Sequence, residues 1–96
     1  MLKNQPEHNH KPIINKRQLA WRAIDGELII VHIPSNKVYR LNPMGLYIWD
    51  RIDGQKNLSD IIGLIGAEFD ASPENIEKDV LEFTDNLLKH NIIKYA

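Results

Sequence analysis

The stretch KVYRLNPMGLYIWDRIDG, residues 37–54, decides the fold because the repeat of its apolar side chains changes within it. Lys37 to Leu41 alternates as a strand does, with Tyr39 and Leu41 on one face and Val38 and Arg40 on the other. After Leu41 the period lengthens to about 3.6 residues, and Gly45, Ile48, Trp49 and Ile52 fall on one side of a helix. Asn42 is the predicted cap and Pro43 the first helical residue, since proline lacks only an N–H that would be unpaired there. Asp53-Gly54 is the predicted left-handed stop.

Toward the N-terminus, Leu19 to Ile24 and Leu28 to Ile33 read as strands. Asp25-Gly26 between them supplies the positive φ angles of a tight hairpin turn, so the two runs should pair antiparallel. Leu28 to Ile33 is apolar at nearly every position, which predicts a central strand covered on both faces. Pro34-Ser35-Asn36 makes the next loop, and Lys37 to Leu41 returns as a third strand at the edge of the sheet. Residues 1–18 hold too few large apolar groups to offset the entropy of ordering them and read as a flexible arm before a domain over residues 19–96. His8-Asn9-His10 within the arm has no further ligand nearby to complete a metal shell and reads as part of a solvated tail.

Toward the C-terminus two more helices follow. Asn57 with Asp60 predicts a capped start, placing Leu58, Ile61, Ile65 and Phe69 on a buried stripe, and Gly63 and Gly66 suggest close helix packing. Ser72-Pro73-Glu74 opens the last helix, which runs to about His90 with Asn91 as its C-terminal cap. Ile76, Val80, Phe83 and Leu87 form its apolar stripe, and Leu81, Thr84 and Leu88 widen it. Either that extra strip is an open groove, or Ile92-Ile93 or the first helix covers it.

Composition limits the function. With 96 residues the chain is one domain at most and has little room for an enclosed active site. A formal net charge of -1 gives no general attraction to nucleic acid or an anionic membrane. The absence of cysteine excludes disulfides, thiolate metal sites and a cysteine nucleophile, and no apolar run approaches the roughly 18 residues that span a bilayer. A cytoplasmic protein is expected. His32 reads as a hydrogen-bonded core histidine, and His90 suits the negative end of a helix dipole. No catalytic set can be assembled, and neither an enzyme nor a bound cofactor or metal is expected.

From Leu19 to Ile93 the chain resembles the PqqD-like family, the discrete form of the RiPP recognition element. The resemblance is carried by the strand-rich start, by Asn36 through Pro43, by Ile48-Trp49, by Asp53-Gly54, and by Asp79-Val80-Leu81-Glu82-Phe83 on the last helix. It is nearer to the broad group than to the dedicated pyrroloquinoline quinone factor. The resemblance implies an α+β, winged helix-turn-helix-like fold, with a three-stranded antiparallel sheet followed by three helices. It also implies a non-catalytic module that binds the leader segment of a ribosomally synthesised precursor peptide. The module would present that segment to a modifying enzyme, a radical SAM protein or a leader peptidase. The family places the peptide between the third strand and the last helix. That carries the role onto Lys37, Val38, Tyr39, Arg40 and Leu41, and onto Val80, Leu81, Thr84, Asp85 and Leu88. Of these, Tyr39, Leu41 and Val80 are expected to be wholly buried, and Arg40, Leu81, Asp85 and Leu88 to touch the peptide.

The residues agree with such a role. An edge strand offers unpaired N–H and C=O groups that an extended peptide, or a second copy of the chain, can complete. One alternative is a winged helix-turn-helix DNA-binding protein, but Glu74, Glu77, Asp79, Glu82 and Asp85 against Lys78 and Lys89 on the last helix would repel phosphates. The other is a scaffold that docks onto an enzyme through the same edge without a peptide.

Overall fold

The computed structural model describes residues 9–96. Strands β1 (Pro12–Ile14), β2 (Leu19–Ile24), β3 (Glu27–His32) and β4 (Lys37–Leu41) precede helices α1 (Pro43–Trp49), α2 (Leu58–Glu68) and α3 (Pro73–Lys89), and β5 (Ile93–Tyr95) follows. The sheet β2-β3-β4 is antiparallel, with Trp21 opposite Ile30 and Ile30 opposite Tyr39. Its first turn is the two-residue Asp25-Gly26, at φ 53° and 80°, and Glu27 pairs with Ile24, so β3 begins one residue earlier than expected.

The three helices start where their side chains dictate. Asn42 Oδ1 accepts from the Gly45 N–H at 2.8 Å, and Ser72 Oγ accepts from the Asn75 N–H at 3.3 Å. Asn57 and Asp60 form a reciprocal capping box at 2.8 and 3.0 Å. Each cap satisfies a donor that the first turn of a helix leaves free. α3 ends in a Schellman motif: Asn91, at φ 61°, donates to Leu88 O, and Ile92 donates to Leu87 O at 2.9 Å. That reversal buries Ile92 and Ile93 and aims β5 back along the molecule.

The core lies on one face of the sheet. Leu19, Leu28 and Ile30 meet Ile48, Trp49 and Ile52, Ile61 and Ile65, then Ile76, Val80 and Leu87, closed by Ile92 and Ile93. Burial along β3 therefore alternates. Leu28, Ile30 and His32 are inside, while Ile29 and Val31 are half-buried and face outward with Ala20, Arg22 and Ile24 of β2. The expectation of a strand covered on both faces fails because every helix packs on the same side. Ile33 belongs to a 3-10 turn beyond the strand and is exposed.

The arm expected over residues 1–18 is folded from the middle onward. β1 pairs antiparallel with β5, Pro12 is fully buried, Ala96 N–H donates to Lys11 O, and Leu58 N–H donates to His10 O. The polar composition hid this because Pro12, Ile13 and Ile14 need only three residues of pairing with a distant strand to be held. His10 stacks on Tyr95 at 5.2 Å, and His8 lies outside the described residues.

α1 ends at Trp49, short of Asp53-Gly54. Asp53 instead makes its own turn. Its carboxylate accepts from Lys56 Nζ and from the backbone N–H groups of Lys56 and Gln55, which holds its pKa well below the usual carboxylate range. Phe69 caps α2 and packs edge-on against Tyr47 at 5.0 Å, half-buried and not on the inner stripe. Gly63 is exposed and a Cβ there would meet nothing within 4 Å, while at Gly66 it would make only ordinary contact with Ile76. The two glycines do not mark a close helix approach.

Candidate functional site

β4 is the last strand of its sheet, so alternate residues along it turn backbone N–H and C=O groups away from β3 with no strand to receive them among the described residues. β2 is the opposite edge. The difference between them is what lies beneath. Leu41 and Tyr39 reach down from β4 to α1 and α3, whereas Trp21 of β2 meets Trp49 at the end of α1, with ring centroids 5.4 Å apart.

Two contacts fix how α3 runs under β4. The rings of Tyr39 and His90 lie 5.0 Å apart. At the other end of the strand, a Cβ placed on Gly45 would come within 3.0 Å of both Leu41 Cβ and Phe83 Cε1, so β4, the start of α1 and α3 converge on that glycine. α3 thus runs antiparallel to β4, and at 100° per residue Asp79, Phe83, Asn86 and His90 form the stripe along it. Phe83 is half-buried, and Asp79, Asn86 and His90 are exposed.

The positions expected from the resemblance divide. On β4, Lys37, Val38 and Arg40 are exposed, with Val38 and Arg40 on the open face of the sheet, where Arg40 Nε lies 3.8 Å from Glu27 Oε1. Tyr39 and Leu41 face the helices but are only half-buried, not wholly buried as expected, because an edge strand has no neighbour on its outer side. On α3, Val80 is fully buried as expected. Thr84 is buried too, with Oγ1 donating to Val80 O at 2.9 Å, so neither side chain is open to a ligand. Leu81, Asp85 and Leu88 lie roughly 160° around the helix from the stripe that meets β4. Asp85 there is 3.5 Å from Lys89. The widened apolar face is therefore split: Thr84 is core, and Leu81 and Leu88 are partly exposed on the side away from the strand.

By sequence alone His90 is not placed beside the strand and Phe83 is expected only on the apolar stripe, whereas both reach β4, with Asp79 and Asn86 on the same stripe by helical spacing. Their i, i+4, i+7, i+11 spacing is readable as one helix stripe. Which stripe meets β4 depends on the rotation of α3, set by Gly45 and by the Schellman turn at Asn91.

His32 is buried, and its Nδ1 lies 2.8 Å from Ser35 Oγ, the partner expected of a core histidine. Among the described residues no group of three histidine, cysteine or acidic side chains could hold a metal. A hollow of about 420 Å³ lies at Ile13 to Gln18 and Lys94, and one of about 270 Å³ on the open sheet face at Ala20 to Arg22, Ile24, Ile29 and Val31. Neither is lined by a histidine, a serine or a carboxylate. No helix among the described residues is long and apolar enough to cross a membrane.

Comparison with known proteins gives a consistent picture. A family model described as Coenzyme PQQ synthesis protein D (PqqD) matches residues 27–93. A PqqA binding protein of Xanthomonas euvesicatoria pv. vesicatoria (strain 85-10) is 34% identical over 64 residues, covering 67% of this chain and 70% of the relative. Its counterpart in Xanthomonas campestris pv. campestris (strain 8004) is 33% identical over the same span. Among solved structures, TbiB1 in complex with the TbiA(beta) leader peptide superposes with a TM-score of 0.77 at 22% identity, over 85% of this chain and 94% of the other. Lasso peptide synthetase B1 complexed with the leader peptide also gives 0.77, at 13% identity, over 88% and 98%. At these identities the two structures establish the α+β fold.

Proposed function

This chain belongs to the PqqD family, and from that premise we propose that its β4 edge captures the leader segment of a ribosomally synthesised precursor peptide and presents it to a modifying enzyme. The observation that carries the reading is the free edge of β4 laid along a stripe of α3, with Tyr39, Leu41 and Phe83 between them. An extended peptide gains backbone hydrogen bonds from Lys37 to Leu41 irrespective of its sequence, and every second side chain turns down onto the α3 stripe, where sequence is read. Phe83 and His90, with Asp79 and Asn86, are then the helix side of the site, in place of Leu81, Asp85 and Leu88. The protein performs no chemistry in this scheme. The enzyme it serves is of the radical SAM or leader-peptidase class, and the encounter takes place in the cytoplasm. Because the same edge can pair with a second copy, a dimer formed there would compete with the peptide.

The test is affinity capture with this protein as bait, from cells expressing its neighbouring genes, with mass spectrometry of everything retained, including species below about 10 kDa. A short peptide retained by the native chain and lost with Val38→Pro, whose ring cannot join an extended ladder on both sides, supports the proposal. Retention of only a large enzyme favours the scaffold reading.

A further inference from the structure

The groove between β4 and α3 has a direction. Along it stand Lys37, then Tyr39 beside His90, then Leu41 beside Phe83, and beyond them Asp79, one helical turn N-terminal to Phe83. Tyr39, Leu41 and Phe83 line it together with the His90 ring and the Asn86 amide on the helix side; its Lys37 end carries a cation and its Asp79 end an anion. Both end groups are exposed, and neither forms an ion pair among the described residues. The other charges nearby are engaged or turned away: Arg40 lies over Glu27 on the opposite sheet face, and Asp85 and Lys89 pair with each other around the helix.

Resting on the peptide-binding reading above, we infer that the groove selects an extended segment of the order basic, apolar, apolar, acidic at alternate positions, read from its N- to its C-terminus. The spacing follows from the pleat. Side chains on one face of an added strand recur every second residue, about 7 Å apart, as Lys37, Tyr39 and Leu41 do. The residue opposite Leu41 meets Leu41 and Phe83, the one opposite Tyr39 meets the Tyr39 and His90 rings, the one opposite Lys37 meets a cation, and the one two places beyond Leu41 reaches Asp79. The direction follows from the sheet. β2, β3 and β4 are all antiparallel to their neighbours, and an antiparallel addition to β4 is the better-bonded choice, so the ligand's N-terminal end lies at Leu41. Charge at the two ends adds little affinity but sets the direction of entry and rejects the reversed order.

Two blocked synthetic peptides of identical composition test this. One carries Lys, Leu, Val and Glu in that order at alternate positions, with threonines between, and the other has Lys and Glu exchanged. Each is titrated into the isotope-labelled full chain, and affinity is read from the backbone amide shifts of residues 37–41. The Lys-first peptide is expected to bind about three- to tenfold more tightly at low salt, the range two exposed ion pairs allow. The ratio should shrink as salt is added. The double variant Asp79→Lys with Lys37→Glu, two exposed positions, should reverse the preference. Equal affinities for the native chain, with β4 shifts present, would overturn the charge order and leave strand addition standing. If neither peptide moves the β4 amides, the inference and the strand-addition reading fall together.

Discussion

The two flanks of α3 differ in a way that helix periodicity does not reveal. Leu81, Asp85 and Leu88 lie on a flank that widens the apolar face, and Leu81 and Leu88 there are partly exposed. The flank of Asp79, Phe83, Asn86 and His90 is polar at three of four positions, yet it is the one that meets Tyr39 and Leu41 of the edge strand. An apolar strip marks where water is excluded or could be, whereas a binding groove is defined by which surfaces converge, and that depends on how a helix is rotated in its packing.

Phe83→Ala gives the largest expected difference between the flanks. It removes a half-buried ring from the junction of α1, β4 and α3, and should cost about 2 kcal/mol of stability by chemical denaturation, against about 0.5 kcal/mol for Leu88→Ala. Similar losses at both positions would break the comparison. Gly45→Ala should come next. The new methyl group presses on Leu41 Cβ, which the strand holds in place, so overpacking outweighs the better helix propensity and leaves a net loss of about 1 kcal/mol. For peptide binding, His90→Ala should weaken affinity several-fold by removing a ring that walls the groove beside Tyr39, while Leu88→Asp leaves it within about twofold. The reverse ranking in a titration would return the site to the other flank. The smallest effect is a gain: Gly63→Ala, exposed and with open space around it, should raise the denaturation midpoint by the equivalent of about 0.5–1 kcal/mol.

Local signals in the sequence held for the helix starts and the hairpin turn, while the Asp53-Gly54 stop did not, because Asp53 makes a turn of its own beyond the end of α1. Asn42 with Pro43, Asn57 with Asp60, Ser72 with Pro73, and Asp25-Gly26 each act within four residues, and each sits where the pattern predicts. The edge position of β4 was legible for the same reason, since a third strand with nothing to follow it in the sheet must be an edge. The side that α3 turns toward it was not. Leu81 and Leu88 are indistinguishable from groove residues in a helical projection, and only the contacts of Phe83 and His90 decide the rotation. The pairing of Pro12–Ile14 with Ile93–Tyr95 was also out of reach, because both partners are three residues long and neither has an independent strand signal.

That terminal ribbon has a consequence for the order of folding. β2, β3 and β4 are joined by short turns and can zip from Asp25-Gly26 and Asn36 outward, at small entropic cost. β1 meets β5 only after almost the whole chain has been brought round, and a contact so distant is favourable only once the intervening helices are in place. The ribbon is therefore expected to close last and open first, as a latch whose amides exchange with solvent before those of Ile30. The chain can then loosen at its ends without disturbing the β4 edge.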